Sequence, residues 1–419
     1  MPMPVRHLPV VQNWDCQGCT DCCHEYSVHV TAEERERINE QGWEKREEFR
    51  GVPLFVREGS WRRETYRLNH RENGACVFLG EGGRCRIHAE FGSAAKPLAC
   101  RIYPFMLVPA GDHWRVGLRF ACPSAARSVG RPLRDHSDEI REYVTALEQQ
   151  ARAGTKELPP PALQGRQKVP WPDLFTFTHG LGLILSLKED RIERRLRKCL
   201  ALADLCRKAK FGKVTGKRLE EFLGIVIGAL NDEVPPEPEQ VPPPTWVGRV
   251  IFRQILALYA RKDRGPYRGN ASRSRWRLMK AAVACARGTG PVPQLNALLP
   301  DTTFEKVEEP AGPLPPESED ILERYFLVKV HSFQFAGLTN FNCSFWDGFE
   351  SLALSFPIAM WLARAYSQMP RPDAVVRGLR IADDSFGFHP VLGTRRQKLG
   401  QNILSFRGEI PRLVAWYAR

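Results

Sequence analysis

From Arg134 onward, apolar residues recur every three to four positions, the period of one buried helix face. The pattern predicts helices over Arg134–Arg152, Leu174–Leu187, Ile192–Lys210, Gly216–Leu230, Trp246–Tyr259, Ser274–Ala286, Ile321–Phe335 and Phe345–Tyr366. Prolines separate them: Pro159-Pro-Pro161, the run Val234–Pro244, which reads as a polyproline-type connector, and Pro310–Pro316. Ahead of Arg134 the pattern is shorter and more broken. Val28–Val30 is extended, and Thr31-Ala-Glu-Glu34 forms a capping box, predicting a helix to about Gly42. Tyr66–Asn69 and Ala75–Leu79 read as short strands parted by the turn Arg71–Gly74, and Gly80–Gly83 is a second turn. Trp114–Phe120 alternates as a strand that ends at Cys122-Pro123.

The expected fold class is therefore α+β: a small, loop-rich, cysteine-cluster metal domain over 1–133, then a mostly α-helical region. The helical part divides into 134–232, a Pro-rich linker at 233–244 and a helical C-terminal region over 245–419. The chain has 419 residues, 43% hydrophobic and 26% charged, which is ordinary globular composition with ample material for a core. No apolar run reaches the roughly 18 residues of a membrane span, and Ser351–Ala363 reads as a buried helix. The first residues carry no secretory pattern, so a reducing cytoplasm is the expected setting, where clustered thiols are metal ligands more often than disulfides. The formal net charge of +13 permits anionic partners without specifying one.

Eight of the twelve cysteines lie between Cys16 and Cys122, four of them within Cys16-Gln-Gly-Cys19-Thr-Asp-Cys22-Cys23. Two thiolates separated by two residues can clasp one soft ion from a single turn, with the other ligands arriving from elsewhere. Cys16 with Cys19, and Cys19 with Cys22, have that spacing. Cys22 and Cys23 are adjacent, so their side chains are expected to diverge and one to serve a second site. Cys76, Cys85, Cys100 and Cys122 follow, and His88, three residues past Cys85, could replace a thiolate. Eight cysteines suit two four-ligand sites, or one cluster plus a structural ion. Zinc and iron–sulfur clusters both accept four thiolates, so both stay open. Burial as small hydrophobes and a redox disulfide relay are the alternatives, and dense, glycine-flanked, loop-borne cysteines argue against the first.

The cysteine run, Cys76-Val-Phe-Leu79, Gly83-Arg-Cys-Arg-Ile-His88 and Lys96-Pro-Leu-Ala-Cys-Arg-Ile-Tyr-Pro-Phe105 together resemble the YkgJ-type cysteine-cluster family of zinc- or iron-chelating domains. That family includes the flagellin lysine N-methylases, and Cys122-Pro-Ser-Ala-Ala-Arg127 is similar to the segment that follows in that branch. The resemblance covers roughly residues 14–127. This chain departs from it at His88, where tyrosine is common, at Lys96, where arginine is common, and in a longer spacer over Glu90–Ala95. The resemblance implies metal binding by Cys16, Cys19, Cys22, Cys23, Cys76, Cys85, Cys100 and Cys122. It further implies protein-lysine N-methylation, with S-adenosylmethionine as methyl donor and a protein with target lysines as partner. The rival expectation is a non-enzymatic, metal-stapled module for protein interaction or metal handling.

Other features are weaker. Gly180-Leu-Gly182 lies inside a predicted helix and is no nucleotide-binding turn. Arg261–Lys280, with Tyr267 and Trp276 interleaved, reads as a solvated basic loop before a helix; nucleic-acid contact rests on it alone. Cys199, Cys206, Cys285 and Cys343 read as core. Asp384 and His389 could form an acid–base pair but more commonly satisfy a turn. Arg101 and Tyr103, beside Cys100, are expected to support the thiolates by charge and hydrogen bond.

Overall fold

The structure is a computed structural model that describes residues 3–7, 11–59, 64–150 and 158–419. The N-terminal part holds β1 (Val5–His7), β2 (Asn13–Trp14), α1 (Asp21–Glu25), β3 (His29–Val30), α2 (Ala32–Glu40), β4 (Phe55–Glu58) and β5 (Thr65–Leu68). It continues with α3 (Arg86–Phe91), α4 (Leu98–Ile102), β6 (Phe105–Ala110), β7 (His113–Leu118), α5 (Pro123–Ala126), β8 (Arg131–Pro132) and α6 (Ser137–Gln150). β3, β5 and β4 form an antiparallel sheet in the order 3-5-4. β6 and β7 form an antiparallel hairpin, Phe105 opposite Leu118, with β1 parallel to β7 on its other side. The predicted capping box is present: Thr31 Oγ1 accepts from the Glu34 amide at 3.2 Å, and Glu34 Oε2 accepts from the Thr31 amide at 2.9 Å. The expected strand over Ala75–Leu79 is instead a turn, because its amides reach the carbonyls of Cys23, Asn69 and Cys76 rather than one partner strand.

The remainder is helical: α7 (Trp171–Leu185), α8 (Ile192–Lys208), α9 (Lys217–Glu233), α10 (Trp246–Ala260), α11 (Arg275–Arg287), α12 (Phe304–Glu308), α13 (Pro316–His331), α14 (Phe345–Ala365), α15 (Arg371–Ser385), α16 (Arg395–Phe406) and α17 (Glu409–Ala418). The expected helices match α6–α11, α13 and α14 within a few residues. Two ends differ: Arg152 lies outside the described residues, and α13 stops at His331, because Phe333 turns to a left-handed φ of 60°. α14 is the central helix. All its residues but Asp347 are buried, and α8, α10, α12, α15, α16 and α17 pack around it. A helix apolar on every side belongs in the middle of a core. No helix among the described residues is long and apolar enough to cross a membrane. The Pro-rich connector is held down: Arg197 donates to the Pro235 carbonyl at 2.9 Å, and Arg419 to those of Pro238 and Val241 at 2.7 and 2.9 Å.

Two hydrophobic cores result. The smaller gathers Ile38, Trp43, Phe49, Leu54, Leu68, Val77, Phe78 and Ile87, with the Trp43 ring edge-on to Phe49 and Phe78. The larger runs from Leu98 to Ala418 and takes in the β6–β7 hairpin, α5 and the helices. Three of these eight side chains are aromatic, and each buries more apolar area than an aliphatic one, which a core of few residues needs.

Candidate metal centre

The cysteines lie along the seam between these cores. Cys76, Cys85 and Cys100 pack against the small core, while Cys122 is buried in the large one. Cys22 and Cys23 ride on the single turn of α1, entered through left-handed Gly18 and Thr20, both at φ 64°. Two glycines admit that entry. A side chain on Gly83 would fall 2.5 Å from the Gly18 carbonyl oxygen, and one on Gly130 would fall 2.2 Å from the Asp15 amide nitrogen. Beside Gly130, Arg131 donates its amide to Asp15 at 2.8 Å and its guanidinium at 3.1 Å. The first cysteine turn is thus clasped from both sides by backbone.

Cys22 is the hub. Its Sγ lies 3.9 Å from that of Cys23. This corrects the expected divergence of the adjacent pair: on a one-turn helix both thiols reach the same side. The Cys23 carbonyl accepts from the Cys76 amide at 2.8 Å, which ties the second cysteine segment to the first. Burial pushes the Cys76 thiol up to about 11, with the charges of Cys85 and Cys22 adding to it. Burial likewise raises Cys100, opposed by Lys96 and reinforced by Cys76, Cys85 and Cys22. Partial enclosure raises Cys19 to about 11, with Asp21, Cys122 and Cys22 adding charge. Cys122 is raised by burial, opposed by the Ala125 amide. Cys19, Cys76, Cys100 and Cys122 thus feel the charge of Cys22, which lies against Cys23, and Cys85 acts on Cys76 and Cys100.

Cys16 and Cys19 are both exposed on the loop, and His88 is exposed on α3, where burial first and then Lys96 lower its pKa; no thiolate figures among the charges acting on His88. All twelve cysteines are free thiols. Among the described residues no group of three or more His, Cys, Asp or Glu side chains is arranged, as it stands, to hold a metal ion. The donor set fits a soft metal in chemistry: many thiols and few carboxylates, carried on loops and short helices.

A closed set of ions ties this seam to the helical body, and the sequence reading missed it. Arg380 of α15 pairs with Asp21 at 2.8 Å and Glu25 at 3.1 Å, both on α1. Lys262 pairs with Glu25 at 2.9 Å and Asp384 at 2.5 Å. Arg119 pairs with Asp384 at 3.0 Å, and the Tyr26 hydroxyl donates to Asp384 at 2.9 Å. Asp384 is therefore no partner of His389, whose Nε2 lies 3.6 Å from Asp263 instead. Lys262, read as part of a solvated basic stretch, is an internal ion. The acids on either side of the adjacent cysteines, Asp21 and Glu25, were the available signal: spaced i, i+4, they share one helix face.

The remaining sequence candidates resolve structurally. Arg101 turns away from the thiols to pair with Glu142 on α6, so it does not offset their charge. The Tyr103 ring packs against Tyr26 at 5.1 Å, tilted by 52°; burial first, then the charges of Tyr26 and Cys122, raise its pKa. Gly182 makes room for the His331 ring, which would lie 2.6 Å from a side chain there, so the Gly-Leu-Gly pattern is helix packing. Cys199, Cys206 and Cys285 are buried as expected, but Cys343 is half-buried and lines a cavity.

Residues 15–123 match the family model CxxCxxCC, described as "Putative zinc- or iron-chelating domain", over about a quarter of the chain. That description agrees with the chemistry of the thiols at the seam. No curated protein and no solved structure matches the chain.

Proposed function

We propose, from that match and the seam position of the thiols, that residues 15–123 chelate zinc or an iron–sulfur cluster, and that the bound metal fastens the two cores together. The observation that carries this is the placement of seven interacting thiols, three against the small core and one inside the large one. Cys19, Cys22, Cys23, Cys76, Cys85, Cys100 and Cys122 form the inner donor set; Cys16 and His88 are outer candidates. A metal on thiolates from separate loops contributes its binding free energy to folding. The test is purification without oxygen, then metal analysis and a visible spectrum. Bound zinc without colour, or bound iron with a broad visible absorption, is the expected result. A reduced, anaerobic protein free of both metals overturns the proposal.

The finer reading is a cytoplasmic protein-lysine N-methylase of the flagellin-methylase type. It is supported by the resemblance of the cysteine segments and of Cys122-Pro-Ser-Ala-Ala-Arg127. In that reaction a neutral lysine amine attacks the methyl of S-adenosylmethionine, the carbon–sulfur bond breaks, and S-adenosylhomocysteine leaves. The protein's contribution is to hold amine and methyl in line. Incubation with labelled S-adenosylmethionine and a cell lysate should label protein lysines. Absence of labelling and of donor binding, with the metal in place, favours the second reading, a metal-stapled module without catalysis. One observation speaks for that second reading: α1, which carries Cys22 and Cys23, is locked to α15 by buried ions, as a structural joint is.

A further inference from the structure

Away from the cysteines, a cavity of about 490 Å³ opens between the Pro-rich segment 158–162, the loop from α13 to α14, and α16. Its size is that of a small-molecule site. Trp171, Phe333 and Pro159-Pro-Pro161 supply flat apolar walls, and Leu338 forms an exposed lip. Polar groups stand along one side, on α16 and at the start of α14.

Three features of this wall point to a ligand. First, the loop is strained: among the described residues five non-glycines have positive φ, and Phe333 at 60°, Phe341 at 50° and Asn342 at 55° are three of them. A phenylalanine there is a steric outlier, and such outliers cluster at binding sites. Second, the side-chain amides of Asn342 and Asn402, both exposed, make no hydrogen bond within the protein, and Gln401 uses only its Nε2, on the Asp347 carbonyl at 2.6 Å. Third, Lys398 has no carboxylate partner; its Nζ donates only to the Phe341 carbonyl, at 2.9 Å. The one acid in the wall, Asp347, pairs with Arg207 at 2.9 Å, a guanidinium it shares with Glu350 at 2.8 Å, and accepts from the Ser344 hydroxyl at 2.6 Å. The wall therefore carries one ammonium without a carboxylate partner, beside side-chain amides that make no bond within the protein and facing flat apolar surfaces.

We infer that this cavity binds a small, planar aromatic carboxylate, its ring between Trp171, Phe333 and the prolines and its anionic group on Lys398. The site is separate from the cysteine seam and does not depend on the metal reading. Calorimetry on the full chain with indole-3-acetate, salicylate and nicotinate, each against its neutral amide, provides the test. At least one carboxylate should bind about tenfold more tightly than its amide. Lys398→Met should abolish that preference, and Lys398→Arg should keep it. Thermal melts of both variants show that they remain folded, and the arginine variant separates loss of charge from loss of the Phe341 contact. No saturable binding of any of the three carboxylates, or a preference that survives Lys398→Met, overturns the inference.

Discussion

Gly130 occupies a position closed to other residues. Its φ is 120°, and a methyl group there would collide with the Asp15 backbone, one residue before the cysteine run. Gly130→Ala should destabilise the fold by about 1–3 kcal/mol through strain alone, and displacement of the Asp15–Arg131 clasp should lower metal content. Urea unfolding and metal analysis of the variant check this; wild-type values in both would refute it. Glu350 carries a different signature. Burial raises its carboxyl to about 7, against the opposing pull of Arg207 at 2.8 Å. A carboxyl whose folded pKa lies above its unfolded value favours folding when protonated. Stability from this group therefore rises as pH falls from about 7 towards 4.5 and is lost as pH rises through that window. Glu350→Gln should flatten that dependence, a difference on the order of 1–3 kcal/mol between pH 5 and 7.5 in urea midpoints.

At the scale of elements, Glu34 joins two helix starts. One carboxylate oxygen closes the capping box of α2, and the other accepts from the Leu98 amide at 2.7 Å, the first residue of the helix that carries Cys100. Thr31→Ala should cost about 1 kcal/mol, the usual value of a lost cap. Glu34→Ala should cost at least about 2 kcal/mol, because it also orphans a buried amide. It should in addition speed hydrogen exchange in α4, which Thr31→Ala should leave nearly unchanged. The box itself was legible in the sequence, since it needs only residues three apart, and so were the helices with clean apolar stripes. The hairpin strand β6 was not, because Phe-Met-Leu-Val-Pro-Ala has no polar alternation and carries a proline. α15 was missed for a related reason: Arg380 and Asp383 face inward and are buried, which breaks the stripe that pattern reading follows. The cysteines were legible as a set because their spacing is local; their division between two cores depends on contacts far apart in sequence.

Across the whole molecule, those inward charges on α15 explain how the cysteine segment is held. Asp21, Glu25 and Asp384 face Arg380, Lys262 and Arg119, three acids against three bases, so the group is neutral as a unit and uncompensated once any member is lost. Burial alone would raise the Asp384 carboxyl, but Lys262 and Arg119 outweigh it and hold it below the usual range. Burial alone would lower Lys262, but Asp384 and Glu25 hold it above the usual range. The acid's depressed pKa means its stabilisation is present above about pH 4 and is lost as pH falls through the folded value. The base's raised pKa means its stabilisation is present below about pH 10 and is lost as pH rises through the folded value. Asp384→Ala, which leaves Arg119 without a paired carboxylate and Lys262 with Glu25 alone, should therefore cost about 3–5 kcal/mol across that plateau and remove the part of the acid transition that belongs to this carboxylate. Because α1 carries Cys22 and Cys23, the same variant should also lose its metal to a chelator faster than wild type at neutral pH. Unchanged chelation kinetics in a measurably destabilised Asp384→Ala protein would mean that the ion network braces the helical body without holding the cysteine turn.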